Sequence, residues 1–377
     1  MDREQQILAL IRQNPFISQQ DMAEIIGISR SAVAGYIAAL TKKGTIRGRA
    51  YITSGDEGRV FCIGGANLDS KARSKQSIRL SSSNPVTLTE SCGGVARNIA
   101  EALAGLGCPT ALLTVVGDDK AGQWVLDETR RRGVDVSPSI VLKGEKTGAY
   151  TALLDPSGEM FLGFANMDIY DKFTPETLRD KWAHISTAEL VIADTNLPSE
   201  ALEELIRRCQ ADHIPLFLDP VSSEKAKKLP TDLTGITAIF PNLEEAVQLA
   251  LPPQTMHQDV VHMRQLDQDQ MAIAHAIRAR GVQHVFITKG SEGVLYVGEE
   301  GEQLIPPIPT QVVEVTGAGD AFLAGIAYGI LHQQTYLKAC EYGLAAAHIT
   351  LQTSQSVSSE LNEERLVHTI QTMTKGV

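Results

Sequence analysis

The segment Val313-Glu314-Val315-Thr316-Gly317-Ala318-Gly319-Asp320-Ala321-Phe322 combines residue types that could do phosphate chemistry. A β-type run ends in Gly-Ala-Gly, and Asp320 then opens an apolar helix, AFLAGIAYGIL. Glycines let a ligand approach the main chain closely. The free N–H groups and dipole of a helix start attract an anion. A carboxylate at that place repels the anion, unless it takes a proton from a hydroxyl that then attacks a phosphoryl group. A glycine turn followed by an Asp N-cap reads the same letters equally well.

Four further clusters have chemistry of their own. Cys92-Gly93-Gly94-Val95-Ala96-Arg97-Asn98 precedes the helix NIAEALAGL, and Asn98 offers both a donor and an acceptor. Gly64-Gly65-Ala66-Asn67-Leu68-Asp69 follows an apolar run, VFCIG, and Asp69 could hold a vicinal diol through its two oxygens. Asn242-Leu243-Glu244-Glu245 places Asn242 and Glu245 on one face of a starting helix. A carboxylate there could hold Mg²⁺ through waters; an ordinary N-cap with an acidic first turn is the simpler account. Thr288-Lys289-Gly290-Ser291-Glu292-Gly293 suits a turn beside a nucleotide, or a plain hairpin turn into VLYVG.

These clusters need a frame. Apolar runs at 60–64, 111–116, 190–194, 215–219, 236–240 and 284–288 read as strands. Helical patterns at about 95–106, 119–132, 198–212, 242–250 and 270–281 lie between most of them. Nearly continuous apolar strands with intervening helices predict an α/β fold, a doubly wound, mainly parallel sheet covered on both faces. Four of the five clusters then fall at strand ends, where such sheets bind ligands. Segments 67–92 and 145–168 break the pattern and read as a small β lid over the sheet's mouth. No Walker A sequence, protein-kinase HRD or GxGxxG is present, so a P-loop and a dinucleotide fold are excluded.

The first 53 residues differ in kind. Residues 1–52 carry seven Lys/Arg against four Asp/Glu, net +3 in a chain of −11, which leaves −14 for the rest. An acidic body repels nucleic acid, whereas a basic head could bind it. The head reads as three helices: Ile7, Leu10 and Ile11 line the first, Met22, Ile25 and Ile26 the second, and Val33, Ile37 and Leu40 the third. Ser18 and Ser29 are the caps and Gly27 the stop. Helix, turn and helix make a helix-turn-helix, with TIRGRAYIT as a candidate wing. Arg30, Ser31 and Tyr36, with Lys42 and Lys43, are the candidate DNA contacts. Residues 54–58, SGDEG, read as a linker to a domain at 59–377. The segment resembles the winged helix-turn-helix heads of bacterial transcription regulators. A two-fold dimer is the default expectation for such a reader.

Composition excludes other classes. With 43% hydrophobic and 21% charged residues among 377, the chain can bury a sizeable core, and disorder or fibrous character is ruled out. No apolar run approaches a membrane span, and the N-terminus does not read as a signal peptide. The five cysteines are scattered and include no CxxC, which predicts reduced thiols in a cytoplasmic protein.

The body, about 60–375, resembles the ribokinase-like (PfkB) carbohydrate kinases. The resemblance rests on CGGVARN, VTGAGDAF and the NLEE between them. Within that family GGVARNIA, SGEMFLGFANMDI, IADTNL and FLDPVS resemble the pseudouridine kinases, some of which carry an N-terminal helix-turn-helix. The resemblance implies ATP and Mg²⁺ as cofactors and a nucleoside 5′-hydroxyl as acceptor. It implies Asp320 as catalytic base and Gly317, Ala318 and Gly319 as anion hole. Asn242 and Glu245 become the ATP–Mg²⁺ motif, and Thr288 and Gly290 part of the ATP loop. Asn67, Asp69, Gly93, Gly94 and Asn98 become the ribose set, with Thr147, Asn166 and Met167 of the lid over the base. In similar kinases the lid often forms the dimer contact. One departure stands in the late signature: the family carries Asp or Asn and then Thr, where this chain has Glu314 and Val315. The first of these lies near a monovalent-cation site in related kinases, so the departure speaks against activation by K⁺. Two other readings stay open: a kinase for another nucleoside or a pentose, and a nucleoside-sensing transcription regulator with a kinase-like body.

Overall fold

The computed structural model describes residues 3–13, 17–42, 45–46, 59–251 and 269–375. The head contains α1 (Arg3–Gln13), α2 (Gln19–Ile26) and α3 (Arg30–Lys42). Ser18 Oγ accepts from the Asp21 N–H at 3.0 Å and starts α2, and Gly27 at φ 71° stops it. The chain turns by 109° between α2 and α3, within the range of helix-turn-helix pairs. Ile7, Ile11, Met22, Val33, Ile37 and Leu40 form the core as expected. Ile25 does not: it is 63% exposed, and Ala23 is buried in its stead. The eight-residue α2 turns its Met22–Ala23 edge to its neighbours, so Ile25 falls on the outer side. The wing around Gly48, the linker 54–58 and Lys43 lie outside the described residues.

The body is built on one eight-stranded sheet. Its strands are β1 (Val60–Ile63), β4 (Thr110–Leu113), β9 (Leu190–Asp194), β10 (Leu216–Asp219), β11 (Ala238–Ile239), β12 (His284–Thr288), β13 (Val294–Gly298) and β14 (Gly301–Ile305). Their order is β14-β13-β12-β11-β10-β9-β1-β4, parallel from β12 to β4, with β13 and β14 antiparallel at one edge. Both faces are covered. In β1, Val60 and Cys62 point into one core and Phe61 and Ile63 into the other. That is why the strands are apolar throughout rather than alternating. Helices α4 (Val95–Gly105), α11 (Ala318–Leu331) and α12 (Tyr336–Leu351) supply the first core. Helices α6 (Pro175–Ile185), α7 (Ser199–Ala211), the short α8 (Ser223–Ala226), α9 (Leu243–Ala250) and α10 (Gln270–Ala279) supply the second.

Three differences from the sequence reading have local causes. The run 111–116 is two strands, because the chain leaves the sheet at Thr114 and β5 (Val115–Gly117) pairs with β6 (Ile140–Leu142). The run 313–316 is a turn, because the Glu314 carboxylate takes the N–H groups of Val315 and Thr316. Helix α6 was not expected, although Thr174 caps it and Pro175 opens it.

A second sheet, in the order β3 (Val86–Gly93), β2 (Asn67–Ser74), β7 (Ala149–Leu154) and β8 (Met160–Asn166), is formed by the two expected lid segments. It leaves Leu88, Met160, Phe161, Leu162 and Phe164 exposed. All five cysteines are buried free thiols. Among the described residues no single helix is long and apolar enough to cross a membrane.

Candidate active site

The carboxyl ends of the parallel strands converge on a set of aspartates. β9 ends in Asp194 and β10 in Asp219, which sit side by side in register. Asp194 is fully buried and accepts from the N–H groups of Gly65 at 2.8 Å, Ala96 at 2.9 Å and Asn196 at 2.9 Å. It thereby ties the loop after β1 to the start of α4. Burial still pushes its carboxyl up, against those three donors. Gly64 is required there, since a Cβ would lie 2.4 Å from the Asp194 carboxyl carbon.

That clamp sets the next group of residues. β2 and β3 pair so that Asn67 faces Gly93 and Asp69 faces Ser91. Asn67 Nδ2 donates to Asp69 Oδ1 at 2.5 Å. The other Asp69 oxygen lies where a Cβ on Gly93 would be, so only glycine fits. Burial raises Asp69 to about 6. Asn98, in the first turn of α4, donates through Nδ2 to Asp320 Oδ2 at 2.7 Å, across 222 residues of sequence. The structure therefore brings Asn67, Asp69, Gly93, Gly94, Asn98 and Asp320 into one cleft.

Asp320 is not the N-cap of its helix. Gly317 is, at φ 82°, and Asp320 stands in the first turn. Its carboxyl is raised to about 7, first by burial and then by Asp194 and Asp69, with Asn98 opposing. A carboxyl balanced near neutrality beside a helix start is equipped to accept a proton from a hydroxyl. Asp219 is raised well above the usual carboxylate range by burial, Asp320 and Glu245. Val221, two residues on, holds φ 62°, strained for a β-branched residue.

On the other side of Gly319 opens a cavity of about 510 Å³. Thr288, Gly290, Ala318, Gly319, Phe322 and His348 are among the residues that line it. Its walls are mostly apolar, the kind that takes a flat heteroaromatic ring. His348 Nδ1 lies 2.7 Å from Thr310 Oγ1, which places a polar group at the wall. Asn242 and Glu245 form a capping box: Glu245 N–H donates to Asn242 Oδ1 and Asn242 N–H to Glu245 Oε2, each at 2.9 Å. The simpler account of that motif is therefore realised. Gly290 belongs to the turn between β12 and β13, which is also the hairpin.

The lid residues divide. Met167 Sδ and the Tyr170 hydroxyl lie beside Gly148. Asn166 is exposed at the end of β8. Thr147 is buried, and its hydroxyl is engaged by Asp119 at 2.6 Å and the Gly117 N–H at 3.0 Å. In the head, Arg30, Ser31 and Lys42 are exposed on α3, while Tyr36 is half-buried against the core.

Residues 57–363 match the model of the pfkB family carbohydrate kinases. The chain belongs to that family. It is a pfkB-family sugar or nucleoside kinase with a ribokinase-like α/β fold. Residues 2–47 of this kinase match the winged helix-turn-helix DNA-binding model. It is 35% identical to the uncharacterized sugar kinase YeiI of Escherichia coli (strain K12), over 93% of both chains. It is 36% identical to the pseudouridine kinase of the same organism, over 71% of this chain and 82% of that one. A ribokinase from Arabidopsis thaliana, solved with ribose and ATP, superposes with a TM-score of 0.69 at 21% identity, covering 84% and 99% of the two chains.

Four features of this kinase went unmarked in the sequence as site residues: Asp194, Asp219, the Arg97 guanidinium behind Asn98, and Lys71. The signal for the first two was present. LVIAD and PLFLD each end a strand in Asp, the same position that marked Asp69. Lys71 of β2 donates to Glu314 Oε2 at 2.9 Å, joining the lid to the turn before Gly317. No sequence spacing relates those two residues.

Proposed function

We propose that this kinase transfers the γ-phosphoryl group of ATP to the 5′-hydroxyl of a nucleoside, and that the nucleoside is pseudouridine. The observation that carries the transfer is the Asn98–Asp320 pair beside a glycine-started helix, with a mostly apolar cavity beyond Gly319. Asp320 takes the hydroxyl proton as the oxygen attacks the γ-phosphorus; the bond to the β,γ-bridging oxygen breaks and ADP leaves. The N–H groups at the start of α11 stabilise charge on the transferred phosphoryl group. Asn67, Asp69 and Asn98 hold the ribose hydroxyls, and Gly93 and Gly94 let the sugar lie close to the main chain. The cavity takes adenine, with Thr288 and Gly290 at its edge.

Among the described residues no cluster of three His, Cys, Asp or Glu holds a metal directly. Glu245 is an oxygen ligand suited to Mg²⁺ held through waters, so the donor chemistry fits. Such an ion neutralises the triphosphate. Glu314 is already paired with Lys71 and lies at about 2 for that reason, which supports activity without K⁺.

Pseudouridine is favoured by the 36% identity to a pseudouridine kinase. Asn166, Met167 and Thr147 are proposed to cover the base, with the Thr147 backbone and hydroxyl anchored on Asp119. The exposed apolar side chains of β8 support a homodimer through the lid, which sedimentation would test. Arg30, Ser31, Tyr36 and Lys42 of the head, with Lys43, are proposed to contact DNA. That binding weakens steeply from low to physiological salt, and Arg30→Glu with Lys42→Glu in the full chain abolishes it.

An ATP-consumption assay tests the activity, with pseudouridine, uridine, cytidine, adenosine, inosine, guanosine, ribose and fructose as acceptors and Asp320→Ala as control. Turnover strongest on pseudouridine and lost in the control is expected. Turnover strongest on another acceptor overturns the substrate and leaves the chemistry.

A further inference from the structure

Against Asn98 lies a buried ion pair that the proposed reaction does not use. Arg97 is 3% exposed and Glu101 5%. The Arg97 guanidinium donates to Glu101 Oε1 and, at 2.9 Å, to Thr129 Oγ1 of α5 (Lys120–Arg131). Its Nη1 donates to the Cys92 carbonyl at 2.7 Å and to Asn98 Oδ1 at 3.3 Å. A buried pair of this kind is weak as a source of stability, because two apolar side chains of similar size do as well. Its geometry supplies something else. The two ends of a carboxamide have nearly the same shape, and only their polarity tells them apart. A guanidinium has donors and no acceptor. Asn98 must therefore turn its oxygen to Arg97 and its NH₂ to Asp320.

We propose that Arg97 is a positioning residue that locks the Asn98 amide, so that Asp320 always meets a donor and stays available as a base. The proposal rests on the reading of Asp320 as the proton acceptor. With the amide reversed, its oxygen would face the carboxyl and favour the protonated acid, which accepts nothing. The other charged groups facing Asp320 all push the same way: Asp69 from β2, Asp194 from β9 and Asp219 from β10 are acids. Asn98 is the contact that opposes them. Glu101 balances the guanidinium, and Thr129 and Cys92 fix its plane.

Arg97→Met alone strands the Glu101 charge and invites misfolding, so the decisive variant is Arg97→Met with Glu101→Met. Activity is read as kcat/KM against pH with Mg²⁺·ATP and pseudouridine, or ribose should pseudouridine not turn over. Melting temperature is followed in parallel, and Asp320→Asn is the control. The double variant is expected to melt near the parent while its acid limb moves up by about one pH unit. That shift is a roughly tenfold loss on the acid side. Arg97→Lys, which pairs with Glu101 but cannot fork to Asn98 and Cys92 together, is expected to fall between. If the double variant folds and keeps the parent's limb and rate, Arg97 is only a packing residue and the proposal fails. If Asp320→Asn retains turnover, the base itself is misassigned, a distinct failure that the control reports by itself.

Discussion

Two asparagine–carboxylate pairs stand in this molecule, and they do opposite things with the same chemistry. Asn98 reaches Asp320 across 222 residues through one bond of 2.7 Å. Asn242 and Glu245 lie three residues apart and are joined by Asn242 Nδ2 to Glu245 Oε1 at 2.8 Å on top of the capping box. Both carboxyls are raised by burial. In the local pair, each partner uses its hydrogen-bonding capacity on the other, and the product is a helix start. In the distant pair, Asp320 meets one amide and three acids, and the product is a carboxyl raised to about 7. Local pairing satisfies a group, whereas pairing imposed by the fold can leave it reactive.

The largest expected effect follows from removing that reactivity. Asp320→Asn keeps the shape and the contact with Asn98 but cannot take a proton. Its kcat is expected to fall by about two to four orders of magnitude, measured as ADP formed at saturating ATP and acceptor. Asn98→Ala comes next. It removes one hydrogen bond to a charged group, worth about 1.5–3 kcal/mol, so kcat/KM drops roughly 10- to 100-fold. Because the lost donor was the contact holding Asp320 down, the acid limb moves to higher pH as well. An unchanged limb in that variant would mean that the two residues are neighbours and nothing more.

The same carboxyl carries a cost in stability whose sign can be worked out. Asp320 titrates at about 7 folded against 3.8 for the free side chain. Between those values the folded chain binds more protons than the unfolded one, so this group's contribution is full below about pH 4 and is lost as pH rises through 7. Asp320→Asn has no such loss. Thermal melts are expected to show the variant more stable than the parent at pH 8 and equal to it at pH 4. The reverse order at pH 8 would place the carboxylate in a favourable ionised site.

Much of this frame was legible in the letters, for a physical reason. A strand buried on both faces must be apolar throughout, so the runs at 190–194 and 284–288 became β9 and β12 with the same bounds. The glycine clusters were legible because close approach of other groups to the main chain excludes any side chain. At Gly93 the excluded volume is the Asp69 carboxylate, and at Gly317 it is the Ser356 carbonyl. Partners were not legible. Nothing in the spacing of Asn98 and Asp320, or of Lys71 and Glu314, records that the sheet brings them together. The turn at 313–316 was misread as a β-type run because two valines and a threonine outweigh one glutamate in any pattern, yet that Glu314 carboxylate decides the local geometry. Asp194 was passed over for a related reason. Its place at a strand end was visible in LVIAD, but its partners are main-chain N–H groups, which every residue has and no sequence singles out.

The smallest expected effect bears on the local pair, and it sharpens what a cap can hide. Asn242→Ala removes the acceptor that starts α9 and the donor that holds Glu245, at about 1–2 kcal/mol in stability. Asn242→Ser restores the acceptor and leaves out the second donor. If the pair is only a cap, Ser returns both the melting temperature and the KM for Mg²⁺·ATP to the parent values. If Asn242 also aims the Glu245 carboxylate toward a hydrated ion, Ser returns the melting temperature while KM stays raised severalfold. The second outcome is expected, because the 2.8 Å bond from Asn242 Nδ2 to Glu245 Oε1 is made in addition to the two bonds of the capping box. It fixes a carboxyl already placed by the capping box, the arrangement that the proposed hydrated ion would need.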